Sequence, residues 1–120
     1  MGSRVLIVDD DFLVADGLES FLLSCGHEVC GKARSADAAL YMAKILRPQV
    51  VFMDVRLAGS RDGVEAAEMI LGEHACRVVF LTAYGDPTMV DRIRTAVPAA
   101  AVLNKPTTAA DIAAAIDGAG

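Results

Sequence analysis

Apolar and polar positions along this chain fall into blocks whose period switches in a regular order. Arg4–Val8 (RVLIV) is a short apolar run ending in three aspartates. The stretch from about Phe12 to Ser24 then carries Leu13, Leu18, Phe21 and Leu22 at helical spacing. This predicts a strand, a loop and a helix. Gly26 stands where a helix C-terminus takes a left-handed residue, and Glu28–Ala33 (EVCGKA) reads as a weaker second strand. Ser35 can cap a second, Ala-rich helix (ADAALYMAKILR), which must stop before Pro48 because proline restricts its predecessor. Val50–Met53 (VVFM) shows no polar alternation, the pattern of a strand buried on both faces, and runs straight into Asp54. A loop with Gly59 and Gly63 leads to a helix around Val64–Leu71. The run Val78–Leu81 is a fourth strand ending at Thr82, and Asp86-Pro87 supplies a cap and first turn for the next helix. Ala101–Leu103 is the last strand, ending at Asn104-Lys105-Pro106, and Thr108 caps a final helix that fades at Gly118.

Five strands alternating with five helices at these loop lengths imply βαβ units with right-handed crossovers. The expected fold is α/β, a flavodoxin-like doubly wound five-stranded parallel sheet in the order 2-1-3-4-5. Its 120 residues are enough for one self-sufficient core, and no linker, repeat or low-complexity segment divides them. Residues 1–120 therefore read as one domain.

Composition adds constraints. Hydrophobic residues make up 54% of the chain and aromatic ones only 5%, so small aliphatic side chains must fill the core. A net charge of −5 argues against a phosphate-backbone binder, which needs clustered Lys and Arg, so direct nucleic-acid binding is not expected. No apolar run approaches the roughly 20 residues that span a bilayer, and residues 1–20 lack the pattern of a secretory signal. The expectation is a soluble, cytoplasmic protein with no membrane partner. Cys25, Cys30 and Cys76 form no C-x-x-C pair and His27 lies far from His74, so reduced structural thiols are expected in preference to a zinc or redox site.

Candidate chemistry gathers at the strand ends. In an open parallel sheet, ligands bind outside the carboxyl ends of the strands, where the strand order reverses. Here the first strand ends in Asp9-Asp10, the third in Asp54, the fourth in Thr82 and the fifth in Lys105. Three carboxylates brought together repel unless a hard cation neutralises them. Mg²⁺ suits such a site, since it takes a few carboxylate or carbonyl oxygens, keeps several waters and shares its site with phosphate. Phosphoryl transfer needs a placed nucleophile and positive charge on the equatorial oxygens, which Mg²⁺ and Lys105 can supply while the Thr82 hydroxyl donates a hydrogen bond. Asp11, directly before a helical run, reads as a helix cap rather than a ligand.

VDDD at Val8–Asp11, MDV at Met53–Val55, LTA at Leu81–Ala83 and NKP at Asn104–Pro106 together resemble the response-regulator receiver family, and the likeness covers essentially the whole chain. Each motif alone is weak. Their order, with each at the end of an expected strand, makes them specific. The resemblance implies that Asp54 is the phosphoacceptor and that Asp10, Asp54 and the Arg56 backbone carbonyl ligate Mg²⁺, with Asp9 reaching the metal through water. It implies that Lys105 pairs with the phosphoryl group and that Thr82 moves toward it. It further implies a sensor histidine kinase or histidine phosphotransfer protein as phosphodonor, a downstream protein target, and a self-limiting aspartyl phosphate. Arg56 and Tyr84 occupy the family positions that flank the approach of water, and Tyr84 is expected to tune phosphoryl lifetime. The Lys105-Pro106 bond is expected to be cis.

Some positions depart from the common pattern. Val102 stands where many receivers carry a switching Tyr or Phe, Thr107 replaces the common Phe, and the loop LAGSRDG lacks the usual proline and looks about one residue longer. With TAYGD at Thr82–Asp86, these features resemble a subgroup of stand-alone receivers found mainly in alphaproteobacteria. There the signal is expected to leave through the Tyr84–Pro87 loop and the following helix. The main alternative is a receiver-like interaction module that does not turn over, against which the intact acidic and lysine set argues. A haloacid-dehalogenase-like phosphohydrolase usually has an acid two residues after its nucleophile, where this chain has Arg56. A nucleotide or flavin binder would need a glycine-rich phosphate loop after the first strand, and none is present.

Overall fold

The structure, a computed structural model, describes residues 2–57, 59, 61–83, 87–105 and 107–117. Strands and helices alternate throughout: β1 (Arg4–Val8), α1 (Phe12–Ser24), β2 (Glu28–Ala33), α2 (Ala36–Leu46), β3 (Val50–Asp54), α3 (Gly63–Glu73), β4 (Arg77–Ala83), α4 (Pro87–Ala96), β5 (Ala101–Lys105) and α5 (Ala109–Ile116). The five strands form one sheet in the order β2-β1-β3-β4-β5, and every neighbouring pair is parallel. This is the expected flavodoxin-like arrangement. The strand order reverses between β1 and β3, so a crevice opens at the carboxyl edge there.

Helix starts follow side-chain capping. Asp11 accepts hydrogen bonds from the amides of Leu13 (3.0 Å) and Val14 (3.3 Å), Ser35 from Ala38 (3.2 Å), and Thr108 from Asp111 (3.1 Å). Each satisfies an amide that the first helical turn leaves without a partner. Gly26 takes the expected left-handed conformation after α1, with φ of 87°. Arg47 ends α2 with φ of 47°, a conformation few non-glycine residues adopt. The expected cap Asp86 lies outside the described residues, as does Gly118.

Two apolar layers enclose the sheet. Val5, Ile7, Val50, Phe52, Val79 and Leu81 pack under α1 and α5, whereas Leu6, Val8, Val51, Met53, Val78 and Phe80 pack under α2, α3 and α4. Pleat alternation sorts the strand residues between these layers. β1 and β3 are buried along almost their whole length, as their unbroken apolar sequences require of central strands. Between β1 and β2 the register shifts by one residue at Cys30, a bulge that suits the edge strand.

Gly63 is the tightest point near the carboxyl edge. A Cβ there would stand 2.1 Å from the Asp54 carbonyl oxygen and 2.9 Å from Met53 Cγ. The Gly63 amide donates to the Val55 carbonyl at 2.8 Å, so the first turn of α3 lies directly on the backbone leaving β3. Gly63→Ala is expected to destabilise the protein by about 1–3 kcal/mol through overpacking. The urea midpoint checks this, and Gly72→Ala, where a Cβ meets nothing within 4 Å, serves as the control that should not be destabilised.

Candidate functional site

The alternation that sorts the apolar residues also sorts the polar ones. Asp9 follows Val5 and Ile7 at two-residue steps, Asp54 follows Val50 and Phe52, and Lys105 follows Ala101 and Leu103. All three thus continue the layer under α1 and α5 past the last apolar row, where the sheet ends. The Asp9 amide donates to the Ala33 carbonyl at 3.0 Å, carrying the β1–β2 ladder one residue beyond the strand and fixing Asp9 in that row. Asp10 is exposed, at the point where the chain turns away toward α1.

Asp9, Asp54 and Thr82 are the polar side chains in the buried set of the described residues, with 3%, 7% and 4% exposure. Oxygens of Asp9, Asp10 and Asp54 lie within 4.8 Å of one another. Lys105 Nζ stands 3.3 Å from Asp54 Oδ2 and 3.6 Å from Asp9 Oδ2. Asp54 Oδ1 accepts from the Arg56 amide at 3.3 Å, and Asp9 Oδ1 from the Asp11 amide at 2.9 Å. Burial, then the neighbouring Asp9 carboxylate, push the Asp54 pKa up to about 6, with Lys105 and the Arg56 amide opposing them.

Asp9 Oδ2 is buried without a hydrogen-bond partner. The Lys105 ammonium at 3.6 Å is an ionic neighbour beyond hydrogen-bond reach, so this buried carboxylate oxygen keeps an unmet cost. A divalent cation among these oxygens would satisfy Asp9 Oδ2 and relieve the repulsion. The donor set is all oxygen, which suits Mg²⁺ and not a thiolate-seeking metal. The three cysteines are free, while His27 Nδ1 accepts from the Ser3 amide and His74 Nε2 bonds the Pro48 carbonyl, so both histidines are engaged by backbone groups.

Thr82 is buried one residue before the end of β4, in register with Asn104. Its place in the alternation is with Val78 and Phe80, and Val102 pairs with Phe80 in the same layer. Val102 is half-buried against that layer. Tyr84 and the Lys105-Pro106 bond involve positions outside the described residues. Sequence reasoning missed two features flanking the site. One is the Arg34 guanidinium, 5.3 Å over the Phe12 ring beside a small cavity that Asp9 also lines. The other is Asp62, whose capping box with Glu65 was legible in the D-x-x-E spacing.

Such a fold and centre define a doubly wound α/β domain with an acidic pocket and one ammonium at the topological switch point. The chain belongs to the response regulator receiver domain family, which matches residues 5–117. It is a receiver domain of two-component systems. Receiver domains typically bind Mg²⁺ at an acidic pocket, and membership implies a phosphodonor partner. The chain is 36% identical over 114 residues to the transcriptional regulatory protein PdtaR of Mycobacterium tuberculosis, covering 95% of this chain and 55% of PdtaR. It thus spans about half the length of that relative. The signal receiver domain of a modulated diguanylate cyclase from Desulfovibrio desulfuricans G20 superposes with a TM-score of 0.89 at 31% identity, over 98% of this chain and 92% of that one. The PhyR receiver domain of Erythrobacter litoralis gives 0.84 at 28% identity, over 98% and 89%. The likeness to PhyR receivers supports the subgroup drawn from Val102 and its neighbours. No helix of the described residues is long and apolar enough to cross a membrane.

Proposed function

We propose that residues 1–120 act as one cytoplasmic receiver domain that accepts a phosphoryl group on Asp54. The donor is a phosphohistidine on a sensor histidine kinase or histidine phosphotransfer protein. The observation that carries this reading is the meeting of Asp9, Asp10 and Asp54 oxygens within 4.8 Å, with the Lys105 ammonium 3.3 Å from Asp54. Asp10, Asp54 and the Arg56 backbone carbonyl would hold Mg²⁺, with Asp9 reaching it through water. When bound, Mg²⁺ neutralises the carboxylates and draws charge from the phosphoryl oxygens.

Asp54 is the nucleophile. One of its carboxylate oxygens forms the new bond to phosphorus as the bond from phosphorus to the histidine nitrogen breaks, and the departing imidazole takes up a proton. Lys105 then pairs with a phosphoryl oxygen while the Thr82 hydroxyl donates to another. Attack by water returns Asp54 and inorganic phosphate, so the domain resets itself and transforms no external substrate for release. Between these events, phosphorylation shifts the population of two conformations, and a downstream protein target reads the difference.

Incubation with acetyl phosphate and Mg²⁺ tests the reading by intact mass. Wild type should gain one phosphate, and Asp54→Asn should gain none. Labelling that proceeds with excess chelator, or that survives in Asp54→Asn, would refute the assignment and favour another class of phosphoryl chemistry, whereas wild type that gains no phosphate would favour an interaction module that does not turn over.

A further inference from the structure

We propose that Arg92 is a positioning residue for the acidic centre: its guanidinium grips Asp62 and thereby ties α4 to the segment that leaves β3 beside Asp54. The inference rests on the reading of that centre as the phosphoacceptor site. It begins from how lightly α4 is held. Ile93 is the buried residue of this helix, with Val97 just past its end. Met89 and Ala96 pack against the same core only partly buried, so polar ties have a share in setting the position of this helix.

The polar tie is a fork. Arg92 Nη1 donates to Asp62 Oδ2, and Arg92 Nη2 donates to Asp62 Oδ1 at 3.1 Å. Two parallel charge-assisted bonds fix orientation as well as distance, which a single ammonium contact would not. Burial raises the Asp62 pKa, but hydrogen bonds from Arg92 and the Glu65 amide outweigh it and hold the carboxyl below its ordinary value. Asp62 is thus ionised and doubly engaged at neutral pH.

Asp62 in turn reaches the centre through short bonds. Its side chain accepts from the Glu65 amide at 3.0 Å, and Glu65 Oε1 accepts from the Asp62 amide at 3.3 Å, so the start of α3 is locked to it. The next residue, Gly63, donates to the Val55 carbonyl at 2.8 Å and is pressed against the Asp54 carbonyl. One residue past Val55, the Arg56 amide donates to Asp54 Oδ1. A shift of α4 therefore pulls on the turn that orients the acceptor carboxylate. By linkage, whatever fixes that turn also restrains α4.

Amide hydrogen exchange and Mg²⁺ titration of wild type, Arg92→Ala, Asp62→Asn and the double variant test this. Asparagine still caps a helix, so Asp62→Asn removes the ionic fork and keeps the cap. Arg92→Ala and Asp62→Asn should each speed exchange of the Arg56 and Gly63 amides about five-fold and weaken Mg²⁺ binding about as much. The double variant should add nothing further, Arg92→Lys should fall between, and the β1 amides should stay as in wild type. Unchanged exchange at Arg56 and Gly63, additive effects, or faster exchange across the whole sheet would overturn the proposal. Wild type failing to bind Mg²⁺ would refute the reading of the centre instead, while the amide pattern still decides the role of Arg92.

Discussion

Lys105→Ala is expected to slow phosphoryl transfer from acetyl phosphate on the order of 100-fold, because it removes one preorganised charge from the oxygens that gain charge in the transition state. The same change should lower the stability of the metal-free protein at pH 7 by about 2 kcal/mol, since it leaves two buried carboxylates without their cation. The cost stays below the full price of an unpaired buried charge for two reasons. The Lys105 side chain is a third exposed, so water already screens the pair. Asp54 also sits at a pKa of about 6 with Lys105 in place, and without it the group rises further and escapes the penalty by taking a proton. Mg²⁺ should restore much of the lost stability while the rate stays low. Labelling time courses and urea midpoints, with and without Mg²⁺, check both effects. A variant labelled as fast as wild type would remove Lys105 from the phosphoryl site.

How much of this was legible beforehand differs by kind of interaction. The central strands could be read directly, because Val5–Val8 and Val50–Met53 are apolar at every position and only a doubly covered strand tolerates that. Convergence of Asp9, Asp54 and Lys105 on one edge followed from the topology, since a parallel sheet brings the carboxyl ends of all its strands to the same side, where ligands bind. Strand ends were harder. β4 runs on through Thr82 and Ala83 and β5 through Asn104 and Lys105, because backbone pairing continues where apolar patterning stops. Asp62 and Arg92 lie 30 residues apart on different elements, and no local period announces such a pair. The ionisation of Asp54 was beyond sequence for the same reason: its value depends on depth and on the distances to Asp9 and Lys105.

Lowering the pH from about 7.5 to 4 is expected to erase a stability gap between wild type and Asp54→Asn in the absence of metal. The folded pKa of Asp54 is about 6 against an ordinary 3.8. Above the folded value the group is ionised in both states, and the native state bears the full cost of burying that charge and of holding it beside Asp9. Between the two values the native state takes up a proton that the unfolded chain does not, so this contribution to stability rises as pH falls. Below 3.8 both states are protonated and it levels off. At about 1.36 kcal/mol per pH unit, the cost relieved is about 3 kcal/mol. Asp54→Asn carries no such charge, so it should exceed wild type by up to about 3 kcal/mol near pH 7.5, with the difference closing toward pH 4. Asp62 runs the other way: its lowered pKa makes its stabilisation present above 3.8 and lost as pH falls through the depressed value, but it does so equally in both proteins and cancels from the difference. Mg²⁺ at pH 7.5 should close the same gap by neutralising the charge that the proton removes at low pH. Urea midpoints of the two proteins across this range decide the matter, and a gap that is constant with pH would mean that neither burial nor Asp9 raises the Asp54 pKa.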